Sequence, residues 1–345
     1  MAWSTIFFIM DDLLKKLLIL RTPGVGPVRY NALRVKYGNL DGVIDSLNLT
    51  QSFIDSVKRE IDMANELGIK YVFEDDSFYP YELFCIKNHP IVISVRGNIE
   101  TLKKKKVAIV GTRHSTAAGM NFISDLAQSF AAHDYAVVSG MAMGTDSAAH
   151  NGALNAGGNT QTIAVLAGGV DYIWPIENES LYYEILERGC VLSEMPVGMK
   201  PNAQNFVQRN RWVAGMSGLL ILGEADIKSG SMTTARFAID YKKPVFAVPG
   251  HPSDARSMGP NSLIRSGNAT LCMSSKDFFD DEKKENGKKN HAPQNDILDK
   301  LGMIPVSESV LANLVKKTVS EIKSDLVVLE LQGLVRKQDG GYVLN

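Results

Sequence analysis

The feature that most constrains this chain is an alternation that runs through residues 106–275. Short apolar runs recur at 107–110, 136–138, 163–166, 191–192, 219–222, 245–248 and 269–273. Most are separated by segments of helical period, one of which places Ile123, Leu126, Ala127 and Phe130 on a single face. Unbroken apolar strands alternating with amphipathic helices imply βαβ units, whose parallel sheet is covered on both faces. The expected fold class is α/β: an extended Rossmann-like parallel-sheet core, with a small helical N-terminal domain and a C-terminal winged-helix-like domain. Residues 71–73 and 91–95 are expected to add edge strands to this sheet.

Domain boundaries follow from composition. Residues 1–65 read as a helical (SAM/helix-hairpin-helix-like) domain, with Leu13, Leu14, Leu17, Leu18 and Leu20 on one face before Thr22-Pro23-Gly24-Val25-Gly26-Pro27. The turn amides of a helix-hairpin-helix can meet a DNA phosphate, but a single Gly-Val-Gly serves a plain helical accessory domain equally well. Residues 66–278 form the Rossmann core, and the nearly apolar-free segment 279–295 reads as a solvated linker. In 296–345, helical signals at 297–301, 309–314 and 319–331 precede a hairpin with an Asp339-Gly340-Gly341 turn, a winged-helix pattern. Its third helix sets Glu321, Asp325 and Glu330 beside Lys323, which favours docking or structural use over duplex binding.

Other classes are disfavoured. The apolar run 3–10 has no basic residue before it and is closed by Asp11 and Asp12. It is too short for a membrane span of about 20 residues and lacks the positive start of a signal peptide. Met10 is expected to be the biological start, with Met1 the alternative. Cys85, Cys190 and Cys272 are far apart with no CxxC spacing, so they read as buried reduced thiols in a cytoplasmic protein. His114, His150 and His251 lack metal-ligand spacing, and no metal or cofactor is expected. A net charge of −1 argues against a generally basic DNA binder, so any affinity must come from a local arrangement of cations.

That arrangement is expected at the carboxyl ends of the strands, where open α/β sheets bind ligands. Gly111-Thr112-Arg113-His114-Ser115-Thr116 follows the first core strand, and Ser139-Gly140-Met141-Ala142-Met143-Gly144-Thr145-Asp146 the second. Ala167-Gly168-Gly169-Val170-Asp171 follows the third, and Lys228-Ser229-Gly230-Ser231-Met232-Thr233-Thr234 opens a later helix. Glycine permits close backbone approach, hydroxyls cap or donate, helix N-termini favour anions, and arginine presents a planar fork to phosphate. None of these loops matches GxGxxG or GxxxxGK[ST], which disfavours a dinucleotide or Walker-type site. In Phe206-Val207-Gln208-Arg209-Asn210-Arg211-Trp212 aromatics stand beside cations, the composition that holds single strands by stacking and charge. Core packing is expected for Trp212.

Taken in order, Gly111-Thr112-Arg113, Ser139 to Asp146, Arg209-Asn210-Arg211, Lys228 to Ala235, Pro249-Gly250 and Gly259-Pro260-Asn261-Ser262-Leu263-Ile264 resemble the motifs of the DNA-processing protein A (DprA/Smf) family. The resemblance covers roughly residues 70 to 275. It implies a homodimer that binds single-stranded DNA without sequence preference and loads RecA recombinase onto it during natural transformation, with no catalytic residues. It places Gly111, Thr112, Arg113, Ser139, Gly140, Lys228, Ser229, Gly230, Ser231, Thr233 and Thr234 at phosphates, Phe206 on a base, and Arg209, Asn210 and Arg211 in the pocket wall. Val207 stands where the family usually has Pro, Met143 where many relatives carry a polar or basic residue, and Thr145 and Trp212 where Ile is usual.

The alternative is a nucleotide-binding Rossmann enzyme or sensor acting on a nucleoside monophosphate. Such an enzyme needs a carboxylate beside its phosphate loop, and the helix opening at Thr233 has none before Asp240. Asp146, Glu194 and Glu224 lie near strand ends and keep the alternative open. Ser139 has no GxSxG context for a nucleophile.

Overall fold

The computed structural model describes residues 11–158, 162–279, 296–301, 305–338 and 340–344. The expectations for the first nine residues and for nearly all of the 279–295 linker lie outside them.

Four helices come first: α1 (Asp12–Arg21), α2 (Pro27–Tyr37), α3 (Leu40–Ser46) and α4 (Gln51–Glu66). Asp11, Asn39 and Thr50 accept first-turn amides and so start α1, α3 and α4. Pro27 opens α2, and Gly38, in the left-handed region at φ 76°, closes it. Leu17, Leu18, Ile19 and Val43 are fully buried in this domain's core, which extends to Ile91 and Val92 of the neighbouring sheet.

The central unit contains β1 (Lys70–Phe73), β2 (Val92–Gly97), β3 (Lys105–Val110), α5 (Ala117–Ala132), β4 (Tyr135–Ser139), α6 (Thr145–Asn155) and β5 (Thr162–Val165). It continues with α7 (Glu179–Arg188), β6 (Gly189–Ser193), α8 (Ala203–Met216), β7 (Leu219–Leu222), α9 (Gly230–Asp240), β8 (Val245–Ala247), α10 (Ala255–Arg265) and β9 (Thr270–Leu271). These strands form one sheet in the order β1-β2-β6-β5-β4-β3-β7-β8-β9. Strands β3 to β9 pair in parallel, whereas β2 is antiparallel to β6 and β1 antiparallel to β2. Residues 91–95 were expected at an edge, yet β2 is interior. Val92, Ile93, Ser94 and Val95 are all buried, and the more exposed β1 covers them.

Alternation along the strands feeds two layers. Leu220 packs with Trp212, Val213 and Met232 on one face, while its neighbour Ile221 packs with Ile123, Leu126 and Phe130 on the other. Each such side chain contributes about 1.5–3 kcal/mol on burial. From β3 the chain builds outward through β4, β5 and β6, then returns to β3's other side with β7. That reversal is the topological switch point of a doubly wound sheet.

The helical domain docks on this sheet through Glu60. Its carboxylate accepts Arg21 Nη2 at 2.8 Å and the Tyr71 hydroxyl at 3.0 Å, and reaches Val197 N at 3.4 Å. At the C-terminus a single 3-10 turn (Leu298–Lys300) precedes α11 (Glu308–Leu314), α12 (Val319–Leu331) and the hairpin β10 (Val335–Gln338) and β11 (Gly341–Leu344). Cys190 and Cys272 are buried, which pushes their thiols up to about 12, and all three cysteines are free. No helix among the described residues is long and apolar enough to cross a membrane.

Candidate nucleic-acid interface

The loop after β3 is tightly engaged with its neighbours. A side chain at Gly111 would collide with Thr145, Thr112 N donates to Glu224 O at 2.7 Å, and Thr145 N donates to Thr112 O at 3.1 Å. Thr116 caps α5, and its N and Oγ1 donate to the Glu224 carboxylate at 2.7 and 2.6 Å. The helix N-terminus expected to receive a phosphate therefore holds a carboxylate of the chain itself.

An open crevice lies one strand over, at the carboxyl ends of β4 and β5. Gly140, Leu166, Ala167, Gly168, Tyr172, Trp174, Pro201, Phe206 and Arg209 line it. Asn202 and Asn205 form a capping box that starts α8 and sets Phe206 in its first turn. The half-buried Phe206 ring meets Trp174 edge to face at 4.7 Å. Arg113 is exposed at the mouth, its guanidinium 4.9 Å from the Trp174 ring and 5.8 Å from that of Phe206. Arg113 has no carboxylate partner among the described residues, so its charge remains available at a wall of aromatic faces.

Arg209 forms the floor and is only 7% exposed. Its Nη1 donates to Val165 O at 2.6 Å and to Gly140 O, and its Nε to Asn210 Oδ1 at 3.2 Å. Gly140 has to be glycine, because a Cβ there would run into this guanidinium. Asp146 is buried nearby, its carboxyl pushed up by burial against the pull of Arg209 and of the Ala142 amide. Burial pushes Arg209 down, opposed by Asp146 and reinforced by Arg113. His150 is also buried, bonded to Thr162 Oγ1 at 2.7 Å, and its pKa is lowered to about 3 by desolvation.

The other expected site residues divide. Ser139 is fully buried and donates to Ile109 O at 2.6 Å, so its hydroxyl faces the sheet. Thr234 is buried as well and donates to Gly230 O at 3.2 Å. Ser229 caps α9 and shares a hydrogen bond with Ser231 at 2.9 Å, while Thr233 is half-buried. Lys228 and Gly230 are exposed, and Asn210 Nδ2 ties this loop to α8 by donating to Gly230 O at 3.3 Å. Arg211 does not line the crevice: it lies 3.9 Å from Glu194, whose carboxyl is raised by burial, and 4.1 Å over the Trp212 ring. Trp212 is in the core, as expected. Sequence reasoning missed Tyr172, Trp174 and Pro201. The signal was present, since Tyr-Ile-Trp-Pro follows directly on the glycine loop after β5.

A family model described as DNA recombination-mediator protein A matches residues 70–283, which include the whole crevice, and one described as DprA winged helix domain matches 282–341. The chain belongs to the DNA recombination-mediator protein A family. It is 34% identical to DNA processing protein DprA of Bacillus subtilis over 235 residues, covering 68% of this chain and 78% of that one. It is 38% identical to the Streptococcus pneumoniae DprA over 204 residues, covering 59% and 71%. Its 36% identity to Protein Smf of Synechocystis spans 57% of this chain and only half of that relative's length. Among solved structures, the X-ray structure of DprA from Streptococcus pneumoniae superposes with TM-score 0.66 at 30% identity, covering 78% of this chain and 97% of that one. DNA processing protein A from Helicobacter pylori, described for its unique single-stranded DNA binding mode, superposes with TM-score 0.56 at 32% identity, covering 61% and 93%.

Proposed function

We propose that the crevice binds single-stranded DNA without sequence preference and that the protein hands this strand to RecA recombinase. The observation that carries the reading is Arg113 at the mouth, set over the rings of Trp174 and Phe206. Every base has a π-face, so stacking holds a strand without reading it, and an adjacent cation takes the phosphate. The floor guanidinium is already engaged by two backbone carbonyls, which leaves the crevice few groups for base edges. Among the described residues, no carboxylate lines the crevice. Glu224 is held on Thr116, and Asp146 is buried and held by the Ala142 amide, which favours strand binding over hydrolysis of a nucleoside monophosphate. The RecA partner, the homodimer, the cytoplasmic setting and the role in natural transformation rest on family membership.

An oligo(dT) length series, measured with and without RecA and a competing strand-coating protein, tests this. Affinity is expected to rise with length, and Arg113→Ala to lower the salt slope by about 0.7 for one lost phosphate contact. A nucleoside monophosphate bound as tightly as a long oligonucleotide would overturn the reading.

A further inference from the structure

In the N-terminal domain, α2 alone among the four helices contains no carboxylate. It buries only Tyr30 and exposes Arg29, Arg34 and Lys36. The cations of α1 are all matched: Lys15 to Asp41 at 2.7 Å, Lys16 to Asp75 at 3.4 Å and Arg21 to Glu60 at 2.8 Å. Those of α2 have no carboxylate partner among the described residues. Arg34 reaches the Tyr30 hydroxyl at 3.3 Å, and Lys36 lies 4.8 Å over the Tyr37 ring. Between these flanking cations runs an apolar ridge, with Val28 66% and Val35 87% exposed. A helix that concentrates like charge beside uncovered apolar surface is built to meet a polyanion with apolar faces.

The topology puts this helix on the same rim as the crevice. Strand β1 runs parallel to β6 with β2 between them, so Phe73 ends at the rim where β6 ends. Lys16 of α1 sits 4.4 Å over the Phe73 ring, and Tyr30 of α2 shares the domain core with Val92. Met63 of α4 packs beside Gly198, in the loop that exposes Lys200 and leads to Pro201 in the crevice wall. From β1 to β4 is four strand steps, about 19 Å.

We propose that the outer face of α2 is a second anchoring surface for the same single strand, taking phosphates that lie outside the crevice. This rests on the reading of the crevice as a strand-binding site. The cations of α2, which contains no carboxylate of its own, supply the charge complementarity even with Glu74 and Asp75 near Tyr30, and the shared rim supplies the continuity. At a stacked spacing of about 3.4 Å per phosphate, the span from β1 to β4 alone corresponds to about six nucleotides.

The test compares the full chain with the combined Arg29→Ala, Arg34→Gln and Lys36→Ala variant, whose altered side chains are all exposed. With oligo(dT) of about five nucleotides, the two proteins are expected to bind alike. With about twenty nucleotides, the variant's salt slope is expected to flatten by about 2, from three contacts at about 0.7 each. Over a fourfold rise in salt, the unaltered protein then loses about twentyfold more affinity than the variant. Arg29→Glu alone is expected to weaken only the longer oligonucleotide. Unchanged slope and affinity at twenty nucleotides overturn the proposal and leave this face to an acidic protein. Arg113→Ala judges the crevice separately: if five-nucleotide affinity and its salt slope are both unchanged by that substitution, the crevice reading fails whatever α2 does.

Discussion

The two sides of β3 carry loops of similar composition and opposite availability. Toward β7, the Thr116 end of the Gly111–Thr116 loop is closed by its own chain, with Glu224 seated on the amide and hydroxyl of Thr116. Toward β4 and β5, the glycines open onto aromatic rings and onto Arg113 from the other end of that loop, which has no acidic partner among the described residues. Glycine, hydroxyl and helix N-terminus occur on both sides. What separates them is whether a carboxylate more than 100 positions away in sequence has taken the donors. Composition identifies a rim that could bind an anion, and tertiary partners decide which part of the rim is free.

Four measurements press on that contrast, beginning with the floor on the open side. Arg209→Met strands the buried carbonyls of Gly140 and Val165, and is expected to cost about 1–3 kcal/mol of stability in urea unfolding. A loss below about 1 kcal/mol would show that the floor is not held by this charge. Next is the pH dependence from His150 beside it. Its folded pKa, about 3, lies below the ordinary 6.5, so the unfolded chain takes up the proton first. The contribution of neutral His150 is complete above pH 6.5 and is lost as pH falls toward 3, at up to about 1.4 kcal/mol per pH unit. His150→Gln is expected to flatten that part of the stability profile, and an unchanged acid limb would argue against a buried neutral imidazole. Phe206→Ala should weaken oligo(dT) binding by about 1–3 kcal/mol with the salt slope preserved. A changed slope at equal affinity would mean the ring does not stack. Smallest is the closed side: Glu224→Gln is expected to reduce stability by about 1 kcal/mol through loss of a charged acceptor, with oligo(dT) affinity not reduced. A loss of affinity as large as that of Phe206→Ala would erase the distinction between the two sides.

Much of the fold was legible because periodicity is local. The apolar runs became the parallel strands, and the segment at 319–331 became α12 with the same bounds. The place of β2 was not legible. A short apolar run has the same pattern at an edge or inside a sheet, and only β1 pairing outside it makes it interior. In the site, Arg113, Phe206 and Arg209 could be read from type and position, since cations and rings at strand ends converge by topology. The inward turn of Ser139 and Thr234 could not, because a hydroxyl's partner is a property of the packed state. Trp174 was overlooked because it lies past the glycine loop, where a coil residue has no period to betray its direction. Glu224 was read as a possible catalytic acid, and its true partner, Thr116, lies across the switch point.

The guanidinium of Arg209 spans the ends of two neighbouring strands, bonding to the last residue of β5 and to the residue just past β4. The gap between those ends is thereby set when the chain folds, before any ligand arrives. A ligand entering there need not organise the protein around itself, so little of its binding free energy goes into reorganisation. Under the proposed function, a cleft of fixed width takes up and releases its strand without refolding, which suits handing that strand on.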